Sequence, residues 1–285
     1  MRLFGVSMVR NEADIIEASL RHNLGVLDGI AVVDHGSRDR TPEILDRLCG
    51  EGLALRVLHD GGAGFFQAEW LTRLAREAFS REQADFIFPI DADEFLKVPS
   101  RAALERELAA VPRGEHAVAA WLTYVPEFFG DSAFGPSHLR RRLKVERHGS
   151  QKCVIGRSFA ERPQQYIVSG NHLVDDPAMA RAPRHMRLKP EAVALAHCPV
   201  RSAEQLRQKV TLGYAAHLAT RPDNERQALH WKELRDELSA TAPPGEARLR
   251  QIACNYGVAM EQWLPVDAVE LVDDPVLPSF APQPI

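Results

Sequence analysis

Two short apolar runs that each end in aspartate constrain this chain more than any other feature. Phe86-Ile87-Phe88-Pro89-Ile90 leads into Asp91-Ala92-Asp93-Glu94, and Gly29-Ile30-Ala31-Val32-Val33 leads into Asp34. A run of about five apolar residues between polar neighbours has the length and character of an interior strand of a parallel sheet, buried on both faces. Open α/β sheets bind ligands at the carboxyl ends of their strands, so Asp91 and Asp93 are expected to face a pocket. Two carboxylates spaced i, i+2 can hold a hard divalent cation, directly and through water, and the cation can neutralise phosphate. An arbitrary Asp-x-Asp is usually a solvated loop. The apolar strand in front of this one sets it apart.

The earlier run is followed by a legible turn and helix. Gly36 permits a tight turn, Thr41 is a plausible N-cap, Pro42 suits the first helical position, and Ile44, Leu45 and Leu48 supply an apolar face. Upstream, Leu3 to Val9 has the pattern of a first strand. Asn11-Glu12-Ala13-Asp14 then opens a helix with Ile16, Leu20, Leu24 and Leu27 on one side. Strand and helix thus alternate in the rhythm of a nucleotide-binding half-sheet.

These residues carry a resemblance. Val32-Val33-Asp34-His35-Gly36-Ser37-Arg38-Asp39 and the helix after it resemble the signature of family 2 glycosyltransferases, and Asp91-Ala92-Asp93 is similar to that family's metal-binding Asp-x-Asp. Met8-Val9-Arg10-Asn11-Glu12, the stretch Gln67 to Ala75, and His197-Cys198-Pro199-Val200-Arg201-Ser202 with the later Lys209 resemble a bacterial subgroup of the family, in the family's order. The chain departs at His35, where the family usually has a second aspartate. The resemblance implies an α/β, GT-A Rossmann-like fold that binds a nucleotide-diphosphate sugar, with residues 1–215 as catalytic domain and 216–285 as a helical extension and tail. It implies that Asn11 and Glu12 belong to the donor site, that Asp34 contacts the base or ribose, that Asp91 lies near the ribose or a metal-bound water, and that Asp93 ligates Mn2+ or Mg2+. UDP-sugars are the default donors of such enzymes, and inversion is their usual outcome.

Other roles are assigned by position. His197 follows the apolar run Val193 to Ala196, so it is expected at a strand end as a third metal ligand. Lys152, Arg201 and Lys209 are candidates for charge-assisted hydrogen bonds to the diphosphate. Inversion requires a base for the acceptor's proton, and His172, within Gly170-Asn171-His172, and Glu127 rank level for it.

Composition is that of a soluble enzyme: 285 residues, 45% hydrophobic, 26% charged and net charge −4, with no general nucleic-acid signature. The basic residues Arg140, Arg141, Arg142, Lys144 and Arg147 form a run of the kind that is usually solvated, or that guides an anionic acceptor or meets a membrane surface. Four dispersed cysteines without CxxC pairing fit a reducing cytoplasm. No apolar stretch reaches the roughly eighteen residues of a membrane span, so no transmembrane anchor is expected, and the protein is placed in the cytoplasm, free or peripheral at the inner membrane face. Helices are expected over Glu204 to Ala219, Asn224 to Leu238 and Glu246 to Trp263, before a proline-rich tail.

Two other function classes fit parts of the pattern. A haloacid-dehalogenase-like phosphatase also uses Asp-x-Asp after an apolar strand, but near the start of its core and with threonine or valine where this chain has Phe95. A non-catalytic sugar-nucleotide-binding protein would keep the pocket without the ligands or base. The acceptor is open: a glycan, a lipid-linked sugar, a peptide or a small molecule.

Overall fold

The computed structural model describes residues 1–62, 64–130, 134–220, 229–240 and 243–277. The tail 278–285 and the expected helix start at 224–228 lie outside the described residues. Its first half is a parallel sheet of β1 (Leu3–Val9), β2 (Gly29–Asp34), β3 (Leu55–His59) and β4 (Phe86–Pro89), in spatial order 3-2-1-4. The crossovers are α1 (Ile16–Leu24), α2 (Thr41–Gly50) and α3 (Gln67–Arg81). Alternation inside the apolar runs divides the core: Ile30 and Val32 enter one cluster with Leu45 and Leu48, whereas Ala31 and Val33 enter another with Leu71, Leu74 and Phe79 of α3. Both faces of these strands are therefore buried, which is why their sequences read as unbroken apolar runs.

Beyond β4 the sheet becomes mixed. After it come β5 (Glu94–Lys97), α4 (Arg101–Ala109), β6 (His116–Thr123), β7 (Arg141–Leu143), β8 (Gln151–Gly156), α5 (Ser158–Glu161), β9 (Tyr166–Ile167), β10 (Val174–Asp175), β11 (His185–Arg187) and β12 (Ala194–His197). The large sheet runs β3-β2-β1-β4-β8-β6-β12-β5, with β8 antiparallel to both neighbours and β5 antiparallel to β12 at the far edge. One edge of β6 is shared: β11 pairs with its start and β12 with its end, so His197 lies opposite Thr123 on one side and Glu94 on the other. The α/β class and the Rossmann-like parallel half are as the sequence implies.

The helical extension comprises α6 (Ala203–Thr220), α7 (Leu229–Ala240) and α8 (Glu246–Cys254). Leu206, Val210, Leu234, Leu238, Leu249 and Ile252 form its core together with Val125, Leu143 and Val200 from the preceding part. The expected boundary at 215 thus falls inside α6. The last helix is shorter than its sequence pattern, because the chain turns at Gly257 with φ +77° and continues only as a short 3-10 turn at Met260–Gln262. Among the described residues no helix is long and apolar enough to cross a membrane.

A final strand, β13 (Leu271–Asp273), pairs antiparallel with β7 and explains the basic run. Arg142 bonds Asp274 at 2.6 Å and Lys144 bonds Glu270 at 2.7 Å, while Arg140 faces Asp273 at 3.8 Å. Lys97 also pairs with Asp274, whose backbone carbonyl accepts from the Tyr124 hydroxyl at 2.7 Å. Part of the basic run thus pairs with the chain's own acidic strap, while Arg140, Arg141 and Lys144 stay exposed.

Candidate active site

The carboxyl ends of the parallel strands open onto a cavity of about 620 Å³. The turn after β1 contributes Arg10, Asn11 and Glu12, the turn after β4 contributes Asp91 and Asp93, and β6, β8 and β12 contribute Trp121, Lys152 and His197. The opposite wall is one face of α6, where Gln205, Gln208, Lys209 and Leu212 recur at helical spacing, together with Tyr256. Part of the expected extension therefore builds the site.

Asp91 is held from three sides. Gln67 Nε2 and Asn171 Nδ2 each donate to Oδ1 at 3.0 Å, and Lys152 Nζ donates to Oδ2 at 2.6 Å. Lys152 is 1% exposed and also meets Glu94 at 2.8 Å. Burial opposes its charge, but the two carboxylates outweigh burial and raise its pKa. These contacts commit Asp91 to organising the floor and place Lys152 beneath it.

Asp93 is 3% exposed and has a different setting. Its Oδ2 receives Lys209 Nζ at 2.5 Å, faces His197 Nε2 at 3.5 Å and Arg201 Nη1 at 3.9 Å, while its Oδ1 has no partner among the described residues. Burial alone would raise its pKa, yet Lys209 first and then His197 hold it well below the usual carboxylate range. Burial lowers His197 to about 4, which leaves the imidazole neutral at physiological pH. Its Nδ1 is buried without a partner among the described residues.

Arg201 does not reach the cavity wall. It is fully buried, with Nη2 bonded to Glu12 at 2.6 Å, Nε to Asp14 at 2.6 Å and Nη1 to the Cys198 carbonyl at 3.3 Å. It therefore fastens the turn after β1 to the segment after β12, a strut where sequence position pointed to a diphosphate ligand. Five carboxyls (Glu12, Asp14, Asp91, Asp93 and Glu94) meet three cations (Lys152, Arg201 and Lys209) in this layer. Burial raises Glu12 and Glu94 each to about 7. Only above that value, with both ionised, does the layer reach a surplus of two negative charges.

The remaining expected residues separate into those in the wall and those behind it. Asn11 sits at φ 54° in the wall; its N–H donates to Ser37 Oγ at 2.9 Å and its Oδ1 accepts from the Arg38 N–H at 2.7 Å. Thr41 does not cap α2: its hydroxyl oxygen accepts from the Glu12 N–H at 2.9 Å. Asp34 lies behind the wall, accepting from the Ser37 N–H at 3.2 Å and facing His59 at 3.3 Å. His35, where the family pattern has aspartate, reaches the wall with Nδ1 3.1 Å from Asp60 and Nε2 2.6 Å from the Gly64 carbonyl. Glu127 is exposed beyond the end of β6 and is not part of the wall.

His172 does line the cavity. Its Nδ1–H donates to the Gln151 carbonyl at 2.8 Å, which leaves the lone pair on Nε2, and burial lowers its pKa. Gly170 makes room for that nitrogen: its φ is +84°, and a Cβ there would stand 2.7 Å from His172 Nε2. Gly170→Ala is thus expected to displace the imidazole and to lower stability by about 1–3 kcal/mol. Urea unfolding checks this, and a parental midpoint would show that neither the positive φ nor the close approach constrains this position.

Asp91, Asp93 and His197 do not close into a three-ligand cluster, and no three His, Cys, Asp or Glu side chains do so among the described residues. The adjacent pair Asp93 and His197, with a free carboxylate oxygen and a neutral imidazole, nonetheless suits a divalent cation that takes its other ligands from substrate and water. Sequence position alone did not single out Trp121, His148, Glu94 or Tyr256. Glu94 had a signal, being contiguous with the Asp-x-Asp; the others come from distant strands and turns.

No family model and no curated protein matches the sequence. Among solved structures the chain is similar to S. aureus TarS, with TM-score 0.44 and 13% identity over 89% of this chain and 86% of that one. It is also similar to a mannosyltransferase from Pyrobaculum calidifontis in complex with GDP-Man and Mn2+, with TM-score 0.44 and 17% identity over 94% of this chain and 77% of that one. Likeness at this level assigns no donor, acceptor or metal to the present chain.

Proposed function

We propose that the protein transfers a glycosyl group, a hexosyl by default, from a nucleoside-diphosphate sugar such as a UDP-sugar to a hydroxyl of an acceptor, as a GT-A enzyme of the family 2 type. The observation that supports this most is Asp93, buried in the floor of a cavity at the carboxyl ends of parallel strands, with a free oxygen and with Lys209 reaching it from the opposite wall. Asp93 and His197 would hold Mg2+ or Mn2+, and the cation would stabilise charge on the departing diphosphate. Lys209, on the cavity side of Asp93, is placed to donate to a diphosphate oxygen. Lys152 acts from beneath, holding the Asp91 carboxylate in place. Asn11 and Glu12 shape the donor end, and Asp34 supports that end through Ser37 and His59.

His172 is the base in this reading. With Nδ1–H anchored on Gln151, Nε2 is free to take the proton of an attacking hydroxyl. His172→Ala should lower kcat roughly 100-fold or more with the donor KM nearly unchanged, because a base acts on the acceptor. The base works when neutral, and burial lowers its pKa, so protonation of His172 itself should cost activity only below the ordinary histidine value of about 6.5. Glu12 and Glu94 titrate at about 7 in the same site, so an acid limb there would report those carboxyls rather than His172; a His172→Ala variant with parental kcat would rule His172 out as the base. One displacement inverts the anomeric centre, so proton NMR of the first-formed product should show a β-linkage from an α-linked donor; a retained α-linkage would reject this mechanism.

A further inference from the structure

Part of the cavity wall is built of rings that the donor chemistry does not use. Trp121 is their centre: His197 stacks on it at 4.2 Å between centroids, His148 lies tilted at 4.8 Å, and His172 meets it edge-on at 5.9 Å. Trp121, His148 and His172 come from β6, the turn before β8 and the loop before β10, and all three line the cavity.

Hydrogen bonding fixes each of the outer imidazoles in one tautomer. Glu146 accepts twice from Thr123, from the backbone N–H at 2.7 Å and from the hydroxyl at 2.8 Å. Because the single hydroxyl proton of Thr123 points to Glu146, Thr123 Oγ1 can only accept from His148 Nε2, 3.3 Å away. His148 therefore carries its hydrogen on Nε2 and its lone pair on Nδ1, which is buried without a partner among the described residues. His172 is the converse, protonated at Nδ1 with its lone pair on Nε2. Burial lowers the pKa of both, so both are uncharged near neutral pH.

Two lone pairs in one wall call for two O–H or N–H donors. A carboxylate or phosphate only accepts hydrogen bonds, so its oxygens would lose water and face lone pairs instead. The Trp121 indole N–H is also buried without a partner among the described residues and calls for an acceptor, so the wall needs a group that both donates and accepts. A ring that carries several hydroxyls does both, and Trp121 and Tyr256 line the cavity beside it.

We propose that Trp121, His148 and His172 form the acceptor subsite, and that it takes an uncharged polyhydroxy ring, a sugar residue presenting one hydroxyl to His172 Nε2 and a second to His148 Nδ1. This rests on the glycosyl-transfer reading. The first hydroxyl gives its proton to His172 as its oxygen bonds the anomeric carbon, and the nucleoside diphosphate leaves with the electron pair of the broken C–O bond. The second hydroxyl keeps its proton and sets the ring's orientation. His148 is thus a binding residue.

The test is saturation-transfer NMR of methyl glucoside, galactoside and mannoside against the corresponding uronates, with and without saturating UDP and Mn2+. At least one neutral glycoside should bind more tightly than its uronate. His148→Ala should weaken that binding about tenfold, the size of one lost hydrogen bond, with UDP affinity unchanged. His148→Asn sets a carbonyl oxygen near the place of Nδ1 and should retain most of the affinity. Uronates that bind as well as the neutral sugars, no sugar binding at all, or a His148→Ala variant with parental sugar affinity would each overturn the proposal. Failure of UDP to bind would instead strike the nucleotide-sugar reading, and the titration without UDP would still decide the acceptor class.

Discussion

Arg201→Ala is expected to lower stability by about 3–5 kcal/mol, more than any other single change in the site, because it strands two carboxylates in a buried layer. Arg201 is fully buried and bonds both Glu12 and Asp14, and these contacts tie the turn after β1 to the segment after β12. Arg201→Lys should recover only part of the loss, since an ammonium cannot span both carboxylates as the planar guanidinium does. Urea unfolding of the three proteins measures this. A parental midpoint with weakened UDP binding would return Arg201 to the role of a diphosphate ligand.

Asp93→Asn should have the largest effect on activity, a fall of roughly 100-fold or more in turnover together with loss of metal dependence. The amide keeps the shape but removes the charge that Lys209 and a bound cation share. Lys209 is in the cavity wall and can turn toward solvent or substrate, so the stability cost should be modest, about 1–3 kcal/mol. Titrating Mn2+ against turnover and against thermal unfolding separates the two effects. Near-normal turnover with an unchanged metal requirement would reject Asp93 as a ligand.

Sequence patterning made the parallel half-sheet legible, because strands buried on both faces leave unbroken apolar runs and their polar ends mark the ligand-binding edge. Leu3–Val9 and Gly29–Asp34 appear nearly to the residue, and His197 closes β12 as its apolar run implied. The later strands were harder to read. β7, β9, β10 and β11 are only two or three residues long, too short for a period to show. Strand pairing also hid the site's partners: Lys152 reaches Asp91 because β8 inserts antiparallel between β4 and β6, a topology that no local pattern encodes. Arg201 shows the opposite limit. Its position beside His197 was informative, but its direction was not, and Glu12 and Asp14, nearly 190 residues away in the chain, claim its guanidinium. Likewise the basic run could be matched to Glu270–Asp274 only once β13 was seen beside β7.

If the cavity is the glycosyl-transfer site proposed above, it cleaves a nucleoside-diphosphate sugar. Incubation of the protein with a panel of UDP-, GDP- and dTDP-sugars and Mn2+, with nucleoside diphosphate release as the readout, tests it most directly. Release from at least one donor is expected, with chelation of the metal or Asp93→Asn each lowering the rate by roughly 100-fold or more. No release from any donor, or release that chelation and Asp93→Asn leave unchanged, would contradict it.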